Sequence, residues 1–367
     1  MASIFLATRI PIFLLAWLAT GLLASGDAAQ PGNLHHYRSD ARALQAWVHW
    51  DAEWYLLIAE RGYGALQERP DLAPRNRPED TSGFFPLYPG AIHALVTLSG
   101  GWISPLVAAL LISNAAMLGL LYAMQAWLTP RLGEPAARAA GIALATFPTT
   151  LFLSAPYSES LFLLLAVGTL LSADRGRTLL SGLLGAAAAL SRPIGFLLVL
   201  PLLFRSRGGW STRLAAAGPA LGLGAQAAFC GLVFGDPLAF VARQERWRGT
   251  VGPPWTFLVE FLRDPHPHGA SGSVVDLTMA LLCLALLPVV FRRVGIGPGL
   301  YATAALLLPL SSGLFSFSRL ALGAFPLFGA LGWLAGRQPR LRLAYLALSL
   351  PFAGFFTALY ATGWWVG

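Results

Sequence analysis

Apolar runs long enough to cross a bilayer recur from one end of this chain to the other, and its charge sits mainly in the breaks between them. Such segments must satisfy every backbone group internally, which points to a helical, polytopic chain rather than one soluble core. The runs fall at about 4–24, 104–128, 137–154, 158–173, 178–190, 194–204, 213–234, 273–291, 297–314, 319–335 and 342–361. The expectation is therefore an all-α polytopic membrane protein of about eleven membrane helices. No polar stretch is long enough to build a second, soluble domain, so residues 1–367 read as one transmembrane unit. Met1 to Gln30 reads as a cleavable signal or as an uncleaved first helix. The second is expected, because many helices follow.

Arginine placement orients the chain. Arg131/Arg138, Arg175/Arg177, Arg205/Arg207/Arg213, Arg292/Arg293 and Arg337/Arg340/Arg342 fall in five short loops, which are cytoplasmic by the positive-inside rule. Residues 25–85 carry six Arg against nine acidic residues, so 25–103 reads as the first extracytoplasmic loop, with interfacial helices. Residues 235–272 form the second such loop. The segment at 86–100 holds Pro86, Pro89, Gly90 and His93 and is short, so it reads as an interfacial or re-entrant helix rather than a span. Residues 178–190 and 194–204 read as a tight hairpin turning at Ser191-Arg192-Pro193. All 25 basic residues are Arg and are scattered over short loops, so the +8 net charge does not argue for nucleic acid. Cys230 and Cys283 lie inside apolar runs and read as small buried hydrophobes.

This topology puts Asp51, Glu159, Arg192, Arg243, Arg246, Arg248 and Arg319 on one extracytoplasmic face. Asp51 stands out, in Trp47-Val-His-Trp-Asp51-Ala-Glu-Trp-Tyr55. If residues 41–61 form one helix, a turn of about 100° per residue places Asp51 amid Leu44, Trp47, Val48, Tyr55 and Ile58, with Arg42, His49, Glu53 and Glu60 opposite. A lone carboxylate among aromatics at a membrane surface is costly and marks a functional group. The plainer reading is a carboxylate capping or pairing with an Arg. Glu53 reads as part of a solvated polar face. Ser158 starts a helix and Glu159 falls in its first turn, where capping and a role in a site are both open. Arg192 and Arg319 each close an apolar hairpin with no anion adjacent in sequence. Either each holds a phosphate at headgroup level or each snorkels to the interface. Arg243-Gln-Glu-Arg246-Trp247-Arg248 could place an aromatic on a sugar with cations on a phosphate, or form a solvated amphipathic helix. A divalent metal is a lesser alternative: His49-x-Asp51-x-Glu53, with His35-His36 nearby, shares one face only if extended, and lacks the spacing of known zinc sites. Pro265-His266-Pro-His268 reads as loop.

At these motifs the chain resembles the PIG-V type of mannosyltransferase, which adds the second mannose in GPI-anchor assembly, and its bacterial relatives. The resemblance is carried by His49-Trp-Asp51-Ala-Glu-Trp-Tyr55 with Ile58-Ala and Gly62-Tyr63, and by Phe84-Phe-Pro86-Leu-Tyr-Pro89 and Phe147-Pro148. Ser154-Ala-Pro-Tyr-Ser-Glu-Ser-Leu-Phe162, Ser191-Arg-Pro193, Gly235-Asp-Pro-Leu-Ala-Phe240, Ser318-Arg319 and Phe325-Pro326 continue it. The resemblance implies a GT-C glycosyltransferase fold and a polyprenyl or dolichyl phosphate sugar donor, typically mannose. The match puts the family's acidic residue of the first exported loop at Asp51. The expected activity is inverting transfer to a hydroxyl of a glycolipid or glycan acceptor, with Asp51 as catalytic base. Glu53, Trp50, Trp54, Tyr157, Glu159, Arg192, Arg246 and Arg319 are the expected substrate-binding residues. The lipid-linked donor stands in place of a cofactor, and the bilayer is the obligate surrounding. With no long lumenal domain and no evident eukaryotic retention signal, a bacterial relative is expected, in the cytoplasmic membrane with its site facing outward. The alternative class is a transporter or lipid flippase. Transporters tend to place charges at the midplane with repeat symmetry, whereas here most charges lie at loop ends and no inverted repeat is evident. A third reading is a scaffold derived from an enzyme, against which the intact acidic and Arg set argues.

Overall fold

The computed structural model describes residues 1–26, 37, 39, 41–65, 78–204, 210–249, 251–263 and 274–366. The His35-His36 and Pro265-to-His268 readings lie outside the described residues. Among those described, every regular element is helical. Five helices are long and apolar enough to cross a bilayer: Ala2–Leu22, Pro105–Leu132, Ala217–Phe234, Val274–Val294 and Pro339–Ala361. A sixth crossing results if Phe317–Gly323 and Pro326–Arg337, which meet at 87°, count as one broken span. Ala324 leaves helical geometry there (φ −81, ψ 48), and Pro326 opens the next helix at a position where no amide is needed. Each of the eleven apolar segments carries helix, but Thr178–Ser191, Pro193–Leu203 and Ile296–Leu310 are shorter than a standard crossing. Pro105–Leu132 runs through the core, with Met117, Leu120, Leu121, Met124 and Trp127 fully buried.

Two short segments pack against neighbouring protein. Leu87–Leu98 has 12 residues, roughly 18 Å of helix against a hydrocarbon core of about 30 Å. It packs on protein instead: Tyr88 donates its hydroxyl to the Ala109 carbonyl at 3.1 Å and shares a hydrogen bond with Ser113 Oγ at 2.7 Å. After Ser191 the chain turns back on the Thr178–Ser191 helix through a 3-10 turn at Pro193–Leu198.

The single helix expected over 41–61 is not formed. Arg42–Gln45 is one turn, and a new helix starts at Asp51–Arg61. Trp50, between them, adopts φ 59, which no right-handed helix can continue through. Asp51 is therefore the first residue of a helix rather than the centre of a stripe. Its charge and that of Glu53 lie in the first turn, where the helix dipole favours them. Glu53 is 2% exposed, so the solvated face expected for it is also corrected.

Arg9 has a structural use that its place in an apolar run did not reveal. It is buried and donates from Nη2 to the Ala145 carbonyl at 2.6 Å and to Thr150 Oγ1 at 3.0 Å. Its Nη1 reaches the Thr150 carbonyl and Ser154 Oγ, both at 3.1 Å. Ala145 ends the Glu134–Ala145 helix, so the cation meets carbonyls that have no partner within the helix, at the negative end of its dipole.

Gly218 and Gly222, a small-x-x-x-small pair, let Ala217–Phe234 touch Thr178–Ser191 backbone to backbone. A Cβ at Gly218 would lie 2.0 Å from the Gly182 carbonyl oxygen, and one at Gly222 would lie 2.4 Å from that of Ala186. Neither neighbour is a flexible tip that can move aside. Gly222→Val is expected to destabilise the fold by about 1–3 kcal/mol, read as a lower melting temperature in detergent. Gly224→Ala, whose Cβ would meet nothing within 4 Å, serves as the control and should leave it unchanged.

Candidate active site

Four chain segments bring the ionisable groups together. Asp51 begins one helix and Glu159 another. Arg192 follows the Thr178–Ser191 helix in an extended conformation, and Arg319 lies in the single turn Phe317–Leu320. Arg319 Nη1 donates to Asp51 Oδ2 at 2.7 Å, and its Nε donates to Glu159 Oε1 at 2.6 Å. Arg192 Nη1 reaches the same Glu159 oxygen at 2.7 Å and Ser158 Oγ at 3.3 Å. The groups thus alternate in sign as Asp51–Arg319–Glu159–Arg192. Asp51 is not a lone carboxylate, and the anions missing beside Arg192 and Arg319 in sequence arrive from distant segments. Neither arginine snorkels. Asp51 retains 30% side-chain exposure against 5% for Glu159, so Asp51 is the carboxylate more open to an entering molecule.

The surroundings fix this chain of charges. The Arg319 guanidinium lies over the rings of Tyr157 at 4.6 Å and Phe152 at 4.9 Å, within cation–π range. Ser318 is held from both sides: its amide donates to Asp276 Oδ1 at 2.7 Å, and its carbonyl accepts from Thr149 Oγ1 at 2.9 Å. The carbonyl of His49, just before the kink at Trp50, accepts from the hydroxyls of Tyr157 and Tyr360, both at 3.2 Å. Trp50 and Ser316 (φ 61) are the two non-glycine residues of positive φ among those described. One adjoins the acid and the other lies three residues before its arginine. Such conformations cost about 1–3 kcal/mol each and persist where surrounding structure enforces them, commonly at functional sites.

Asp51, Glu159, Arg192 and Arg319 line one cavity of about 870 Å³, together with Trp50 and Trp54. Trp54 stacks on Phe84 (5.4 Å, 11°), and Trp50 sets its edge against Trp365 (5.2 Å). The facing wall is the Ala239–Arg248 helix, from which Arg243, Trp247 and Arg248 line the cavity. That helix is anchored by Asp80, fully buried, which takes Arg243 at 3.0 Å and Arg246 at 2.7 Å. Burial pulls the Arg243 guanidinium down to about 10, still cationic at neutral pH.

The remaining expected residues fall elsewhere. Arg246 turns to Asp80 and does not line the cavity; Glu53 is buried away from it; Tyr157 lies beneath Arg319 rather than against the open space. The metal reading needed an extended 49–53, and the helix starting at Asp51 removes that geometry. Among the described residues, no three His, Cys, Asp or Glu side chains cluster as metal ligands would. Cys230 and Cys283 are buried free thiols. Sequence reasoning passed over Asp80, Phe315, Ser316, Trp364 and Trp365. The Trp364-Trp365 pair, just after a membrane helix ends at Ala361, carried the one usable signal, an interfacial aromatic pair.

Known proteins share sequence and fold with this chain. Two curated relatives are GPI alpha-1,6-mannosyltransferase 2 of Rattus norvegicus, 33% identical over 183 residues, and that of Mus musculus, 32% identical over 182. The matches cover 47% and 46% of this chain and 34% of each relative, so this chain spans about a third of their length. In the solved structures the fold recurs in ArnT from Cupriavidus metallidurans. The form bound to undecaprenyl phosphate gives a TM-score of 0.52 at 16% identity, covering 94% of this chain and 62% of that one. The apo form gives 0.51 at 15%, covering 91% and 59%. At such identity the likeness concerns the fold, and it bears out the expected all-helical bundle of an integral membrane protein. The family profile described as Mannosyltransferase (PIG-V) matches residues 5–215, more than half of the sequence, and the chain belongs to that family.

Proposed function

We propose that this protein is an inverting glycosyltransferase. It moves a sugar, mannose first among the candidates, from a polyprenyl-phosphate-linked donor to a hydroxyl of a glycolipid or glycan acceptor. The reading rests on one observation above the others: the accessible carboxylate of Asp51 and the guanidinium groups of Arg319 and Arg192 line a single aromatic-walled cavity. The family match and the mannosyltransferase relatives support the sugar. The undecaprenyl phosphate in the ArnT structure supports the donor class. In this reading the short helices other than Leu87–Leu98 also cross, lengthened by the turns and 3-10 segments that adjoin them, giving about eleven spans. The site faces outward from a bacterial cytoplasmic membrane, the lipid tail of the donor stays in the bilayer, and the reaction takes place at its surface.

In the transfer, Asp51 takes the proton of the acceptor hydroxyl as that oxygen bonds to the anomeric carbon. The bond from that carbon to the phosphate oxygen breaks, and the lipid phosphate leaves with the electron pair. Attack from the face opposite the leaving group inverts the configuration. Arg319 suits this sequence because its two carboxylates use different nitrogens. When Asp51 becomes neutral, the guanidinium keeps Glu159 and is not left as an unpaired buried charge. Trp50 and Trp54 offer flat surfaces to the sugar.

Asp51→Asn is expected to fold normally and to lower transfer by roughly 10²–10⁴-fold. A folded Asn variant with near-wild-type turnover sinks the assignment of the base. The donor class is checked by incubating purified protein in vesicles containing a lipid extract with radiolabelled polyprenyl phosphate mannose. Label should move to a new product, identified by mass spectrometry, whose linkage is inverted relative to the donor. GDP-mannose supplied without the lipid carrier should yield none.

A further inference from the structure

One cation lining the cavity has no carboxylate partner among the described residues. Arg192 and Arg319 are held by Glu159 and Asp51, and Arg243 by Asp80. Arg248, the last residue of the Ala239–Arg248 helix, lines the same cavity. Its Nη2 donates to the Phe315 carbonyl at 3.3 Å, and it forms no ion pair with any other described residue. Burial pulls its guanidinium down to about 10, and the charges of Arg319 and Arg192 push the same way, with Asp51 opposing. Three guanidinium groups therefore act on one region, and two of them are already matched.

Beside Phe315 stands Ser316, which also lines the cavity. It is 4% exposed, its backbone sits at φ 61, and its hydroxyl has no hydrogen-bond partner among the described residues. A buried hydroxyl without a partner is uncommon and calls for an explanation. A partly buried cation without a counter-ion is costly until an anion arrives. Both needs are met by one tetrahedral oxyanion: the planar guanidinium can offer two parallel donors, and the hydroxyl a third.

We propose that Arg248 and the Ser316 hydroxyl form the subsite that receives the phosphate of the lipid-linked donor, while Arg192 and Arg319 hold the two carboxylates in place. This rests on the donor class proposed above. It moves the phosphate from the two arginines that sequence reasoning favours to a residue on the facing wall. The sugar then lies between that wall and Asp51.

The test uses the full chain in nanodiscs and compares binding of undecaprenyl phosphate with that of the uncharged undecaprenol by native mass spectrometry. Wild type should prefer the phosphate. Arg248→Gln should lose at least about tenfold in affinity for the phosphate and nothing for the alcohol. Arg248→Lys should restore part of the loss, because it keeps the charge but not the fork. Ser316→Ala should weaken phosphate binding by a smaller factor. If Arg248→Gln melts as wild type does and still prefers the phosphate equally, the subsite is overturned while the donor class stands. If wild type binds phosphate and alcohol alike, the donor class fails and the subsite with it. If Arg248→Gln does not fold, Arg248→Lys and Ser316→Ala decide: weakened phosphate binding supports the subsite, and full retention overturns it.

Discussion

The site depends on Arg319 bonding two carboxylates from different parts of the chain at once. Asp51 is 268 positions away in sequence and Glu159 is 160. A single planar group therefore joins a helix start early in the chain, a helix start in its middle and a turn near its end. Arginine fits this place better than lysine would. Its nitrogens point in fixed directions, so the two acids are set at a defined spacing and angle, and its flat faces can rest on Phe152 and Tyr157. With Arg192 on the far side of Glu159, two positive and two negative charges balance. That balance lets a largely apolar bundle tolerate so many ions close together.

Around this centre the polypeptide accepts local cost for position. Non-glycine residues at φ 59 and φ 61 stand on either side of the Asp51–Arg319 pair, and each is enforced from outside: by the tyrosine hydroxyls on the His49 carbonyl, and by the bonds to Ser318 from Asp276 and Thr149. Asp276 is notable because it lies in the first turn of a membrane helix and spends its charge on a backbone amide two residues after the strained Ser316. The scaffold thus fixes the direction in which the arginine leaves the chain.

Much of this was legible from sequence because membrane segments obey strong rules. Long apolar runs, the arginines that separate them and the short proline-broken stretch at 86–100 each follow from the bilayer's demands on backbone hydrogen bonding. The motifs carrying Asp51, Glu159, Arg192 and Arg319 could be placed on one face by counting crossings. What sequence could not give was partnership. Asp51 looked isolated because its partner lies near the other end of the chain. The kink at Trp50 is invisible to periodicity, since tryptophan carries no turn signal, and without the kink Glu53 was assigned to solvent. Arg246 and Arg248 are alike in sequence, two places apart on one helix. Only the position of Asp80, from an otherwise uninformative polar loop, separates an anchoring cation from one that faces the cavity.

The backbone contact at Gly218 and Gly222 has a mechanical consequence. One of the two helices it locks together ends just before Arg192, and the other leads through Gly235 toward the wall carrying Arg248. Two sides of the chamber are thus mounted on one stiff strut and cannot part by sliding past each other. Any widening of the cavity has to come from the side formed by Trp50, Phe315 and the Trp364-Trp365 pair.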